Sequence, residues 1–230
     1  MFNHALLPFV ELGVDTQETG RQYILPSGKR LPSVTTVIGQ MSDQKWKAAW
    51  INRVGEEEAA RITTKAQVRG RGVHALAESY LRNDDAWKEA VADNPFEGGA
   101  FNSIKKLLDD NVGAILGIEC PVYSERLGTA GRFDLLCEWR GRIAVVDFKT
   151  SRYIRSEGLL HNYFLQATAY SVMVEELHPG LSVPDIVVAV MPAYDPQPQI
   201  ELRRKDAFVM PMETVFSRFR RAEKQCELPL

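Results

Sequence analysis

The chain of 230 residues has no stretch of eighteen consecutive apolar residues, so nothing in it reads as a membrane-spanning helix. Its first residues, MFNHALLPFVELGVD, contain no basic segment followed by an apolar run, nor an Arg-rich, acid-poor leader. The expectation is a protein neither secreted nor inserted, working in the cytoplasm. Cysteine is scarce: Cys120, Cys137 and Cys226 are widely spaced, odd in number and form no CxxC pair. A disulfide framework, a zinc site and an iron–sulfur cluster therefore have no support, and reduced structural thiols are expected. There is no internal repeat and no low-complexity tract, which argues against solenoids and disordered linkers. Nor is there a charge excess: the net charge of -2 argues against a protein that coats nucleic acid through global basicity, and leaves a local groove open.

Basic residues nevertheless gather locally, at Arg61, Lys65, Arg69 and Arg71, at Arg152 and Arg155, at Arg203, Arg204 and Lys205, and at Arg218, Arg220 and Arg221. Taken alone, each group reads as a solvated face; the first two gain weight from the motifs beside them.

Residues 21–32, RQYILPSGKRLP, predict a small hairpin around Pro26-Ser27-Gly28. Ser33-Val34-Thr35-Thr36 opens a helical stretch with hydroxyls suited to capping it. Residues 44–69 are helical in composition, with a break at Gly55. From Arg71 to Leu81, apolar residues at Val73, Leu76, Ala77, Tyr80 and Leu81 follow the spacing of an amphipathic helix. Asn94-Pro95 starts another helix, running to about Asp109. Residues 113–124, 131–139 and 142–149 then read as three strands, 161–178 as an apolar helix, Asp185 to Met191 as a buried strand and 211–225 as a terminal helix. That order predicts an α/β fold with a mixed central sheet flanked by helices, residues 1–70 forming an N-terminal hairpin and helical region packed on a core of 71–230.

The chemistry gathers at two of these strands. If Arg140-Gly141 is a two-residue hairpin loop, Trp139 pairs with Arg142, and counting back in register Asp134 meets Asp147 on one face of the sheet. Lys149, two residues past Asp147, projects from that same face. Two facing carboxylates on half-buried strands repel unless a cation lies between them. A divalent ion with oxygen ligands meets that need. The lysine can then orient an attacking water or offset charge building on a phosphate. A surface ion pair of little consequence is the plainer reading, but Asp147 ends the apolar run Ile143-Ala144-Val145-Val146, where an unpaired acid is costly. On the helix, His74 and Glu78 stack one turn apart at the edge of the apolar stripe. By themselves they read as a helix-surface hydrogen bond.

The segments RGRGVHALAESYL, GTAGRFDLL, VVDFKTS and QATAY, in that order, resemble the RecB-like branch of the PD-(D/E)xK nuclease superfamily. The segments PSVTTVI and WINRVGEEEAARI are most similar to the mitochondrial-genome-maintenance exonucleases and their phage relatives within it. The likeness spans roughly residues 21 to 175. It implies a restriction-endonuclease-like αβββαβ core and a metal-dependent exonuclease acting on DNA, with single strands or free ends preferred, in replication, recombination or repair in a bacterial or phage-infected cell.

It further implies that Asp134 and Asp147 bind Mg2+ or Mn2+, one or two ions, with His74 and the backbone carbonyl of Phe148 as further ligands. Lys149 becomes the catalytic lysine and Glu78 an acidic helper. Gln166 and Tyr170 touch substrate or brace the site, a hydrogen-bonded core pair being the plainer reading. Thr150, Ser151, Ser33 and Thr35 either donate to phosphates or cap helices, while Arg69, Arg71 and Arg152 hold neighbouring phosphates. Phe133 stands where the superfamily pattern has proline, and the four cysteines of the iron–sulfur subtype are missing, so no such cluster is expected. The rival readings are a structure-selective or repair endonuclease of the same fold and a non-catalytic DNA-binding accessory module.

Overall fold

A computed structural model describes residues 1–17, 20–42, 45–93, 95–192 and 197–226. Its centre is a six-stranded mixed sheet in the order β1 (Asn3–His4), β5 (Val112–Ser124), β6 (Thr129–Trp139), β7 (Arg142–Ser151), β8 (Asp185–Pro192), β9 (Gln199–Arg204). The pairs β1·β5 and β7·β8 are parallel and the others antiparallel. A three-stranded sheet of β2 (Gly13–Gln17), β3 (Gly20–Ile24) and β4 (Arg30–Pro32) abuts the start of β6, where Ser33 bridges Ala130.

Seven helices are described: α1 (Val34–Met41), α2 (Lys45–Val54), α3 (Glu56–Leu81), α4 (Ala86–Asp93), α5 (Pro95–Asn111), α6 (Glu157–Leu177) and α7 (Asp206–Cys226). The mixed α/β architecture with a helix-flanked mixed sheet is the one expected. No described helix is long and apolar enough to cross a membrane.

The alternation of strand side chains divides the core in two. Val145 and Leu136 point to the layer of α6 and α7, with Phe164, Met173 and Phe216. Ala144, Val146, Leu135 and Cys137 point to the layer of α3 and α5, with Val73, Leu76 and Phe101. The β6–β7 turn is the predicted one: Arg140 and Gly141 take φ of 52° and 80°, the pair of positive values that a type I′ hairpin turn requires. Register follows from it, with Trp139 opposite Arg142 through to Leu135 opposite Val146.

Several elements differ from expectation. The helix foreseen from Arg71 is the second half of α3, which runs unbroken through residue 70 despite Gly70 and Gly72. The packing of Val73, Leu76 and Leu81 outweighs the cost of roughly 1 kcal/mol per glycine. Gly55 does separate α2 from α3, with φ of 87°. Asn94, foreseen as the start of α5, lies outside the described residues. Helix α7 begins at Asp206 and carries Pro211 inside it, five residues earlier than the proline suggested. The short strands β1, β2 and β9 and helix α4 left no pattern strong enough to read.

Candidate active site

The β6–β7 ladder stops at Leu135 and Val146, one pair short of the two aspartates. Beyond it, β6 continues against β5 and β7 against β8. A carboxylate fills the gap: Asp134 Oδ2 accepts the Phe148 backbone N–H at 2.6 Å, replacing the lost strand partner. At such a parting, α3 from one layer and α6 from the other can both reach the same point.

His74, on the face of α3 beside the buried Val73 and Ala77, places Nε2 2.9 Å from the Phe148 carbonyl. Its Nδ1 lies 3.4 Å from Asp134 Oδ1 and 3.8 Å from Glu119 Oε1. The ligand atoms of His74, Glu119 and Asp134 all lie within 4.8 Å of one another. Asp147, only 1% exposed, is turned to Lys149, whose Nζ is 2.5 Å from Oδ2. That contact is an ion pair without hydrogen-bond alignment, and Asp147 Oδ1 has no hydrogen-bond partner among the described residues. The Lys149 ammonium also lies 5.3 Å from the centre of the Tyr163 ring.

The electrostatics follow from burial. Desolvation by itself lowers the His74 pKa, but the charge and hydrogen bonding of Asp134, with Glu119 behind it, raise it to about 10. Burial pushes Asp147 up to about 6 against the pull of Lys149. Burial also raises Glu119, with Asp134 adding to the rise. Asp134 is buried as well, yet His74, Lys149 and the Phe148 amide hold it below the ordinary carboxylate value. Lys149 loses solvent but gains two carboxylates, which keep it an ammonium.

Around these groups is a cleft of about 390 Å³ whose lining includes Ser33, Thr35, Arg71, His74, Glu78, Glu119, Asp134, Lys149, Gln166 and Tyr170. Eleven of the residues singled out from sequence thus converge on one locality once Asp147 and Phe148 are added to the nine of them in that lining. Gln166 Nε2 donates to the Tyr170 hydroxyl at 3.2 Å, so the two are a hydrogen-bonded buried pair in the cleft wall. Gly131 makes room for that ring: a Cβ there would be 2.5 Å from Tyr170 Cε1. Burial raises the Tyr170 pKa well above 10, with the aspartates adding, so the phenol keeps its proton.

Other expectations meet the structure differently. The Phe148 carbonyl, expected to face a metal, accepts from His74 Nε2 instead, the β6–β7 ladder having ended at Val146. Glu78 is at the cleft rim with its carboxylate held by Arg82 at 2.9 Å. Ser33 caps α1, accepting the Thr36 N–H at 3.0 Å and sharing hydrogens with the Thr35 and Thr36 hydroxyls. Ser151 is buried and donates to the Tyr153 carbonyl at 2.7 Å, away from the cleft. Thr150 lines a separate groove, and Arg152 is exposed on the following loop.

Glu119 is the residue the sequence reading missed. It takes φ of 51°, an uncommon conformation for a side chain of its size, with its carbonyl held by the Arg132 guanidinium. Strand β5 pairs Ile118 with Leu135 and Cys120 with Phe133, so Glu119 stands opposite Asp134. The four residues between Ser124 and Thr129 fix that register, and a count back along both strands from that turn would have found it.

The donor set fits a hard divalent cation: carboxylate oxygens, one imidazole nitrogen, and a buried carboxylate oxygen with no hydrogen-bond partner among the described residues. No family model matches the sequence. The human protein named mitochondrial genome maintenance exonuclease 1 is 31% identical over 128 residues, covering 53% of this chain and 37% of that protein. The mouse protein of the same name is 27% identical over 150 residues, covering 61% and 43%. The chain therefore spans about two fifths of the length of these relatives. A crystal structure of a Eubacterium rectale protein superposes with a TM-score of 0.45 at 15% identity, covering 70% of this chain and 69% of that one. A likeness that distant says nothing about activity.

Proposed function

We propose that this chain is a metal-dependent nuclease of the PD-(D/E)xK type that hydrolyses DNA from free ends of single strands. The observation that carries the reading is the meeting of His74, Glu119 and Asp134 within 4.8 Å, beside the Asp147–Lys149 pair. Relatives named exonucleases support the same conclusion. Mg2+ or Mn2+ would be held by Asp134, Glu119 and His74 Nδ1, with Asp147 completing the negative wall. Such an ion, when bound, supplies Lewis-acid polarisation of a phosphoryl oxygen and acidifies water.

The chain's own groups account for the rest. Lys149, kept cationic by two aspartates, offsets charge that builds on the phosphate in the transition state. Arg71 and Arg132 in the cleft wall attract the strand and hold its phosphates. The protonated Tyr170 hydroxyl, anchored by Gln166, offers a donor to substrate oxygen. A cleft of about 390 Å³ is the size of a small-molecule site and suits one flexible nucleotide better than a duplex.

The test is end-labelled linear and circular single-stranded DNA with Mg2+ or Mn2+. Linear strands should disappear while circles persist, and D147N and K149Q should leave both intact. Degraded circles would replace the exonuclease with an endonuclease. Full activity in either variant would reject the mechanism. Calorimetry showing no uptake of either metal would favour a non-catalytic DNA-binding module.

A further inference from the structure

The stripe of α3 that carries His74 continues toward the start of the helix through Gly70, Gln67 and Thr63, at alternating spacings of three and four residues. Past Gly70 it walls a second groove, of about 870 Å³, closed on the other sides by Lys47, Trp50 and Arg53 of α2 and by Thr150 and Arg155. The two cavities adjoin where Gly70, in the cleft wall, faces Thr150: a Cβ at Gly70 would sit 3.6 Å from Thr150 Oγ1. Among the described residues the second groove is lined by three cations and no acid. Such a lining attracts an anion.

Two details single out Arg155. Gln199, on the edge strand β9, holds its main chain from both sides: Arg155 N–H donates to Oε1 at 2.8 Å, and Gln199 Nε2 donates to the Arg155 carbonyl at 2.9 Å. This clamp, 44 residues away in sequence, fixes where the side chain starts. The Arg155 Nε is buried and finds no hydrogen-bond partner among the described residues. A buried charged donor left unsatisfied by the described residues carries its desolvation cost uncompensated there, and a phosphate oxygen would supply an acceptor.

We propose that Arg155, positioned by Gln199, binds a backbone phosphate of the DNA strand outside the catalytic cleft. Lys47 and Arg53 follow the strand along the groove, and Trp50 offers its ring to a base. Thr63 is roughly 10 Å along the helix from Gly70, so this phosphate neighbours the scissile one and is not itself cut. The assignment rests on the nuclease reading of the cleft.

Binding measured without cleavage separates the two. A fluorescein-labelled oligothymidine about a dozen residues long is titrated in EDTA across a salt series, read by anisotropy. R155Q should weaken binding roughly tenfold and reduce the slope of log affinity against log salt by about 0.7, the value for one phosphate contact on a single strand. R155K should recover most of the slope. Q199A should weaken binding yet keep the slope, because the cation remains but is no longer held. R155Q matching the parent in affinity and slope overturns the proposal alone, provided the parent binds and digests DNA. R155K as impaired as R155Q, both melting early, would make Arg155 a structural residue and also overturns it. A parent that binds no strand at low salt defeats this proposal and the nuclease reading together.

Discussion

The imidazole Nε2 of His74 lies 2.9 Å from the carbonyl oxygen of Phe148. A carbonyl only accepts, so that nitrogen carries the proton and Nδ1 is the one presented to Asp134 and Glu119. With the ring pKa raised to about 10 by those acids, His74 is an imidazolium near neutral pH, and a cation entering the site must displace its Nδ1 proton.

Titration of Mn2+ near neutral pH, repeated in buffers of different ionisation enthalpy, should therefore show about one proton released per ion. In H74Q the release should vanish and affinity should fall roughly tenfold or more. Proton-free binding by the parent would remove His74 from the ligand set.

Metal should also stabilise the fold more as pH rises. His74 has a folded pKa above its ordinary value of 6.5, so its contribution is complete below about pH 6.5 and is lost as pH rises toward about 10. Asp147, raised from 3.8 to about 6, likewise contributes below the lower value and loses that contribution as pH passes the upper one. Asp134, lowered, works in the opposite sense and contributes above 3.8. Metal-free protein should thus weaken locally between about pH 4 and 10, and the melting-temperature gain from Mg2+ or Mn2+ should be larger near pH 8 than near pH 5. A gain that shrinks with rising pH would contradict the charge assignments.

K149Q leaves Asp147 buried without its cation. Removing one partner of a buried pair costs about 3–5 kcal/mol when the other stays charged. Here protonation of Asp147 caps the loss at low pH. Urea denaturation in EDTA should show a deficit of about 2 kcal/mol or more near pH 8 and much less near pH 5. Equal deficits at both would mean that the lysine stabilises by packing alone.

G131A drives a methyl group into the Tyr170 ring, with 2.5 Å between Cβ and Cε1. The expected cost is about 1–3 kcal/mol, with reduced cleavage because the Gln166–Tyr170 pair is displaced. In a Y170L background the stability cost should largely vanish, since the atoms in conflict are gone. Additive losses would place the conflict elsewhere.

Asp185, 4% exposed at the start of β8, ties two neighbouring strands together through Arg142 at 2.8 Å and Arg204 at 3.1 Å. D185N should cost about 1–3 kcal/mol in urea denaturation while leaving turnover at saturating substrate intact, because the clamp lies at the far end of β7 from Lys149. A matching loss of turnover would show that the clamp governs the site.

Much of the site was legible because it is built from strand arithmetic. A two-residue turn at Arg140-Gly141 sets the register, register sets which side chains share a face, and the apolar run before Asp147 marks the acid as buried. The same arithmetic on the neighbouring turn reaches Glu119, which escaped notice only because the count was not carried across β5. What the residues themselves could not disclose were partners set by packing: Phe148's carbonyl taken by His74, Ser151 held by Tyr153, and Glu78 by Arg82. Each of those side chains or carbonyls has several allowed directions, and only the neighbours choose among them.

The sequence alone determined the mixed α/β order, the β6–β7 hairpin and the placement of Asp134, Asp147 and Lys149 on one local patch, because turn type and the two-residue period of strands are properties of short segments. Tertiary structure decided that β6 and β7 part beyond Leu135 and Val146, that α3 brings His74 to that gap, and that Gln199 fixes Arg155 in the neighbouring groove. Those relationships join residues as much as 74 positions apart, and their geometry comes from how buried faces pack, which no local spacing encodes.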